Sequence, residues 1–137
     1  MNAKSVSSTP ARRPRVLCAD DEVSITSLLR RLLEAHGYEV QVTNDGLAAL
    51  KALQAHPEGF DVVISDHDMP GLTGLELVQR AKEAGQGVHF IIYSGSMRAE
   101  LAACYAELGV TRQLSKPVGL SVLLCSVEQL INESKHQ

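Results

Sequence analysis

Short apolar runs alternate along this chain with longer stretches whose apolar residues recur every three or four positions. Val16-Leu17-Cys18-Ala19 is an uninterrupted apolar run, as expected of a strand buried on both faces. Ile25, Leu28, Leu29, Leu32, Leu33 and His36 then follow the i, i+3, i+4, i+7 spacing of an amphipathic helix, with Arg30, Arg31 and Glu34 outward and Gly37 as its stop. Glu39 to Thr43 alternates, Val40 and Val42 inward, and predicts a second strand before an Asn44-Asp45-Gly46 turn and cap. Leu47, Leu50 and Leu53 carry a second helix that ends near His56-Pro57. Val62-Val63-Ile64 is the third strand, broken by Pro70, Gly71 and Gly74. Thr73 and Glu76 have capping-box spacing and open a third helix with Leu75, Val78 and the Lys82 stem inward, closed by Gly85 and Gly87. Val88 to Tyr93 is a fourth strand, followed by a helix marked by Leu101, Cys104, Tyr105 and Leu108 and stopped at Gly109. Gln113-Leu114-Ser115 is a short fifth strand. Leu120, Leu123, Leu124, Val127, Leu130 and Ile131 form the stripe of a last helix. Five strand and helix alternations predict a parallel sheet covered by helices on both faces, joined by right-handed crossovers.

Composition narrows what such a domain can do. At 137 residues, 45% hydrophobic and 21% charged, the chain makes one ordinary domain with its own core. A net charge of −3 gives no basic excess to neutralise a phosphate backbone, so direct nucleic-acid binding is not expected. No apolar run approaches the ~20 residues of a membrane-spanning helix. Residues 1–14, rich in Ser, Thr, Pro and Arg, lack the apolar centre of a signal peptide and read as a flexible leader, with Arg12, Arg13 and Arg15 a solvated flank. The expected organisation is therefore leader 1–14, folded domain 15–133 and polar tail 134–137, with no membrane partner and a cytoplasmic location. Cys18, Cys104 and Cys125 are odd in number, widely spaced and set among apolar residues, which reads as reduced core or near-core thiols.

Candidate chemistry stands at the strand ends. Strand one runs into Asp20-Asp21-Glu22, strand three into Asp66, strand four into Ser94 and strand five into Lys116. In an open parallel sheet the carboxyl ends of the strands are where ligands bind. Three carboxylates brought together repel, and the usual remedy is a hard divalent cation such as Mg2+, shared with waters and phosphate oxygens. A hydroxyl and an ammonium opposite them supply donors for a phosphoryl group in transfer, and an aspartate can itself be the nucleophile, giving an acyl phosphate. Singly, each feature has a plainer reading: Asp-Asp as a helix cap, Ser94 as a turn residue, Lys116 as a solvated charge. Their joint appearance at successive strand ends outweighs those readings. His36, His56, His67, His89 and His136 show no ligand spacing and read as structural or surface residues.

Asp20-Asp21, Asp66 with Met69-Pro70-Gly71 and Gly74, Ser94, and Lys116-Pro117 together resemble the receiver domain of two-component response regulators, over about Arg15 to Glu133. The resemblance implies a flavodoxin-like (βα)5 sandwich with sheet order 2-1-3-4-5. It implies Asp66 as phosphoacceptor, Asp20 and Asp21 as the acidic metal pair with Asp21 the more direct ligand, and the main-chain carbonyl of Asp68 as a further ligand. Mg2+ is the implied ion, with Mn2+ able to substitute. Ser94 and Lys116 are implied to attend the phosphoryl group, Pro117 to follow a cis bond, and a histidine kinase or phosphotransfer protein to be the donor. Output is implied to leave through helix four, strand five and helix five, around Met97 to Leu108 and Gln113 to Val127.

Two positions depart from that pattern. Gln113 stands where the family generally carries Tyr or Phe, which puts the aromatic relay of such domains in doubt; Tyr105 or Tyr93 could replace it, although packing is the simpler role for both. Asp68 adds an acidic side chain two residues beyond Asp66, expected to face the incoming phosphoryl group or its attacking water. Asp66-His67-Asp68 also matches the Asp-x-Asp core of haloacid-dehalogenase-type phosphatases, a competing reading of another class. There the nucleophile strand comes first and the acidic pair late; here Asp20-Asp21 precede Asp66, and no cap segment is present.

Overall fold

A computed structural model describes residues 12–135. The leader expected over 1–14 therefore lies mostly outside the described residues. At its described end, Pro14 O accepts from Glu39 N at 2.9 Å and Arg12 Nη1 lies 3.3 Å from Asp61 Oδ2. Arg15 is not merely solvated: its guanidinium sits 5.2 Å from the Phe60 ring centroid and 3.3 Å from Glu39 Oε1.

The elements alternate as the pattern predicts. Strands β1 (Arg15–Ala19), β2 (Glu39–Thr43), β3 (Val62–Ser65), β4 (His89–Ser94) and β5 (Arg112–Ser115) are each followed by a helix: α1 (Val23–Ala35), α2 (Gly46–Ala55), α3 (Gly74–Glu83), α4 (Ala99–Glu107) and α5 (Leu120–Lys135). All strand pairs are parallel, in the order β2-β1-β3-β4-β5. This is the flavodoxin-like order expected from the resemblance.

Strand alternation divides the core into two layers. Leu17, Ala19, Val63, Phe90 and Ile92 point to the face covered by α2, α3 and Tyr105 of α4. Val16, Cys18, Val62, Ile64, Ile91 and Tyr93 point to the other, covered by α1 and α5. Helix starts obey local chemistry. Asp45 Oδ1 accepts from Ala48 N at 2.7 Å to cap α2, and Thr73 and Glu76 close a reciprocal capping box on α3.

Helical phase differs from expectation in several places. Leu28 and Leu47 are exposed, whereas Thr26 in α1 and Ala49 and Ala52 in α2 are buried, because small side chains let those helices lie close to the sheet. In α3 the inward residues are Leu77, Val78 and Ala81, with Leu75 only partly buried and Lys82 exposed. In α4 only Tyr105 is fully enclosed. Cys104 and Cys125 are exposed rather than core thiols; Cys18 alone is buried, and burial, with the charge of Asp20 adding to it, pushes its pKa up to about 12. Among the described residues no helix is long and apolar enough to cross a membrane.

Candidate functional site

The register brings the carboxyl ends of the strands level. Asp20 N donates to Thr43 O at 3.2 Å, Asp66 N to Ala19 O at 2.9 Å and Lys116 N to Ser94 O at 3.0 Å, so the sheet ladder continues one residue past the strands into the candidate residues. Their backbones are thus fixed by the sheet itself.

Lys116 stands at the centre. Its Nζ lies 2.7 Å from Asp20 Oδ2, 3.2 Å from Asp66 Oδ2 and 3.3 Å from Glu22 Oε1, and 5.6 Å from the Tyr93 ring centroid. The Lys116-Pro117 bond is cis, as the resemblance implies. Burial works to lower the pKa of this ammonium, but hydrogen bonding and attraction to Asp20, joined by Asp66, outweigh it and hold the group above its ordinary range. Lys116 is thus cationic at neutral pH.

The acidic side is crowded. Asp20, Asp21 and Asp66 each offer a carboxylate oxygen, and these atoms lie within 4.8 Å of one another, with Asp20 and Asp66 buried and Asp21 exposed. Burial raises the Asp20 pKa, a push reinforced by the charge of Asp66 and only partly offset by the Lys116 hydrogen bond, the Glu22 N–H and the Lys116 charge. One ammonium leaves this cluster short of positive charge. An oxygen-only donor set of this kind suits a hard divalent cation, and the exposed Asp21 leaves a solvent side for water ligands.

Asp66 is held from both sides. Its Oδ1 accepts from His67 N at 2.7 Å while Oδ2 faces Lys116. Gly74 sits directly beside it: a Cβ there would come within 2.5 Å of Asp66 O and 2.7 Å of Tyr105 Oη, so only glycine fits at the start of α3. Ser94, at the end of β4, is buried, and its Oγ accepts from Ser96 N at 3.3 Å.

The Asp68 side chain lies on the loop between β3 and α3. It is exposed, and its Oδ2 accepts from the Ser96 hydroxyl across to the loop after β4. Ser96, which the sequence reading missed, therefore links Ser94 to Asp68; its signal was its position two residues beyond Ser94. Glu22, read there only as one of three crowded acids, reaches Lys116. His67 has a structural role: its Nδ1 lies 2.7 Å from Tyr105 Oη, and the rings meet edge-on at 83°. Burial, followed by the charges of Asp66 and Asp68, raises the Tyr105 pKa, so its hydroxyl keeps its proton. Gln113 turns to α4, donating Nε2 to Ala102 O at 3.1 Å.

Known proteins share this fold. The family model described as response regulator receiver domain matches residues 16–128. The chain is 28% identical over 121 residues to the response regulator MprA of Mycobacterium leprae, covering 88% of this chain and 52% of that protein. It is 33% identical over 116 residues to the CAI-1 autoinducer sensor kinase/phosphatase CqsS of Vibrio cholerae, covering 82% of this chain and 17% of that protein. It thus spans about half the length of one relative and less than a fifth of the other. Among solved structures, a response regulator receiver domain protein of Clostridium thermocellum superposes with TM-score 0.83 at 29% identity, covering 89% of this chain and 97% of that one. The chemotaxis protein CheY4 of Vibrio cholerae gives TM-score 0.79 at 30% identity, covering 87% and 99%. With the matched fold and more than half of its length inside the family model, this chain belongs to the response regulator receiver domain family of two-component systems.

Proposed function

We propose that this domain accepts a phosphoryl group onto Asp66 from a histidine kinase or phosphotransfer protein, and that the acyl phosphate changes which partner it binds. The observation that carries this reading is Lys116 Nζ lying between the buried carboxylates of Asp20 and Asp66, with Asp21 completing an oxygen cluster. Asp66 is the nucleophile. A carboxylate oxygen attacks phosphorus as the donor's N–P bond breaks, and Lys116 and Ser94 offer donors to the equatorial oxygens, where charge gathers. Asp20, Asp21 and Asp66, with the main-chain carbonyl of Asp68, would hold Mg2+, or Mn2+ in its place; when bound, the ion neutralises the carboxylates and the incoming phosphoryl oxygens. The domain acts on itself alone, so it is not an enzyme towards other substrates. Helix α4, β5 and α5 form the output face, the site of an output protein or domain. A cytoplasmic location fits a donor of this kind; the proposed organisation is leader 1–14, domain 15–133 and tail 134–137, with α5 continuing through Lys135.

Incubating the chain with a small-molecule phosphodonor and Mg2+ should add one phosphoryl group per molecule, labile to hydroxylamine as acyl phosphates are, and a chelator should prevent it. Sustained turnover on phosphorylated metabolites would instead support a phosphatase of the haloacid-dehalogenase type.

Asp68 bears on how long the phosphoryl group stays. Its carboxylate is the acid at this rim that neither Lys116 nor the proposed metal engages, and swinging from Ser96 would let it take a proton from the attacking water. Asp68→Asn is expected to lengthen the acyl-phosphate lifetime several-fold in a decay time course with the donor removed. Equal decay in the two proteins would restrict Asp68 to its main-chain carbonyl.

A further inference from the structure

His67 and Tyr105 form a connection that accepting a phosphoryl group does not require. The residue after Asp66 contacts the site through its backbone and α4 through its ring: His67 N donates to Asp66 Oδ1 at 2.7 Å, and His67 Nδ1 pairs with Tyr105 Oη at 2.7 Å. Tyr105 is the one residue of α4 that is completely buried. Packed among Leu77, Val78 and Phe90 of the same core layer, it has no room to swing independently of its helix. Gly74 is the third part of this arrangement, since any side chain there would displace the Tyr105 hydroxyl. On its other side α4 is tethered to β5 by Gln113, whose Nε2 donates to Ala102 O while its Oε1 is buried without a hydrogen-bond partner among the described residues. That orphaned acceptor costs stability in the present arrangement, and a small shift of α4 over β5 that let water or an N–H reach it would be favoured.

We propose that the His67–Tyr105 hydrogen bond is the mechanical link by which the chemical state of Asp66 sets the position of α4. The inference rests on the reading of Asp66 as phosphoacceptor. The bond from His67 N to a carboxylate is charge-assisted, and phosphorylation of either oxygen removes that charge while placing new anionic oxygens beyond it. The His67 peptide turns towards those oxygens, its ring moves with it, and the Tyr105 hydroxyl follows because a buried hydroxyl does not give up its partner. Tyr105 and the His67 ring are positioning groups in this scheme; only the His67 main-chain N–H touches the reacting carboxylate.

The test uses the full chain with beryllium fluoride and Mg2+ as the acyl-phosphate mimic, read by amide chemical shifts. In the native protein, adding the mimic should shift the amides of Asp66 and Lys116 together with those of residues 99–107. In Tyr105→Phe, which keeps the ring and removes only Oη, the mimic should still shift Asp66 and Lys116, with the response of 99–107 at least halved. His67→Phe should do the same from the other end of the bond and serves if Tyr105→Phe fails to fold. An undiminished α4 response in these variants would overturn the proposal. So would a mimic that binds the native protein without moving α4, although Asp66 would then still stand as phosphoacceptor. No shift at Asp66 or Lys116 in the native protein would overturn the phosphoacceptor reading, and the link with it.

Discussion

Asp66→Asn is expected to abolish phosphoryl uptake from every donor while leaving the fold intact. An amide oxygen is not a nucleophile towards phosphorus at neutral pH, and no neighbouring carboxylate stands in its place. Asp20 is committed to the Lys116 ammonium at 2.7 Å and to Glu22 N at 2.9 Å, and Asp21 is turned to solvent. The substitution preserves shape, so the Oδ1 acceptor for His67 N survives, and Lys116 keeps Asp20 as its partner. Removing one of three crowded acids also relieves like-charge repulsion, so the thermal midpoint should not fall. Intact mass after treatment with a phosphodonor, beside a thermal melt, reads both effects. A full label on the variant would place the acceptor elsewhere.

Lys116→Ala should cost most of the rate without removing the nucleophile. Lys116 is the one cation within ion-pair distance of Asp20, Glu22 and Asp66 among the described residues. Taking away a charged donor aimed at developing negative charge lowers a transfer rate by roughly 10²–10³-fold. Cation binding should move the other way: with the ammonium gone, the Asp20 and Asp66 oxygens it holds are free for the metal, and Mg2+ affinity should tighten. Initial phosphorylation rates at saturating Mg2+, together with a Mg2+ titration, separate the two. A variant that loses rate and metal affinity together would mean that Lys116 acts only by keeping the site folded.

Much of this could be read from the chain. All five strands and five helices were legible because β-type apolar runs and helical spacing do not overlap here, and because Thr73, Asp45 and the positive-φ glycines Gly37, Gly85 and Gly109 mark helix ends by local chemistry. Asp20, Asp66, Ser94 and Lys116 were legible as a set because strand ends in a parallel sheet share one rim. What could not be read depends on how whole elements lie on one another. That Leu47 is exposed while Ala49 and Ala52 are buried follows from how closely α2 approaches the sheet, and that Cys104 is exposed while Tyr105 is enclosed follows from the rotation of α4. Neither is a property of the segment alone. The His67–Tyr105 bond spans 38 positions and joins a loop to a helix, and histidine spacing carries no sign of it. The Asp68–Ser96 hydrogen bond could not be read for the same reason: its partners lie 28 positions apart on two loops.

Asp66 and no other residue is expected to carry the phosphoryl group. Borohydride reduction of the freshly phosphorylated chain, followed by peptide mapping, cleaves an acyl phosphate and leaves a permanent mark on the residue that bore it. The mark is expected at Asp66 alone. A mark at Asp20, Asp21 or Asp68, or a phosphorylated chain that borohydride leaves unmarked, would contradict the account.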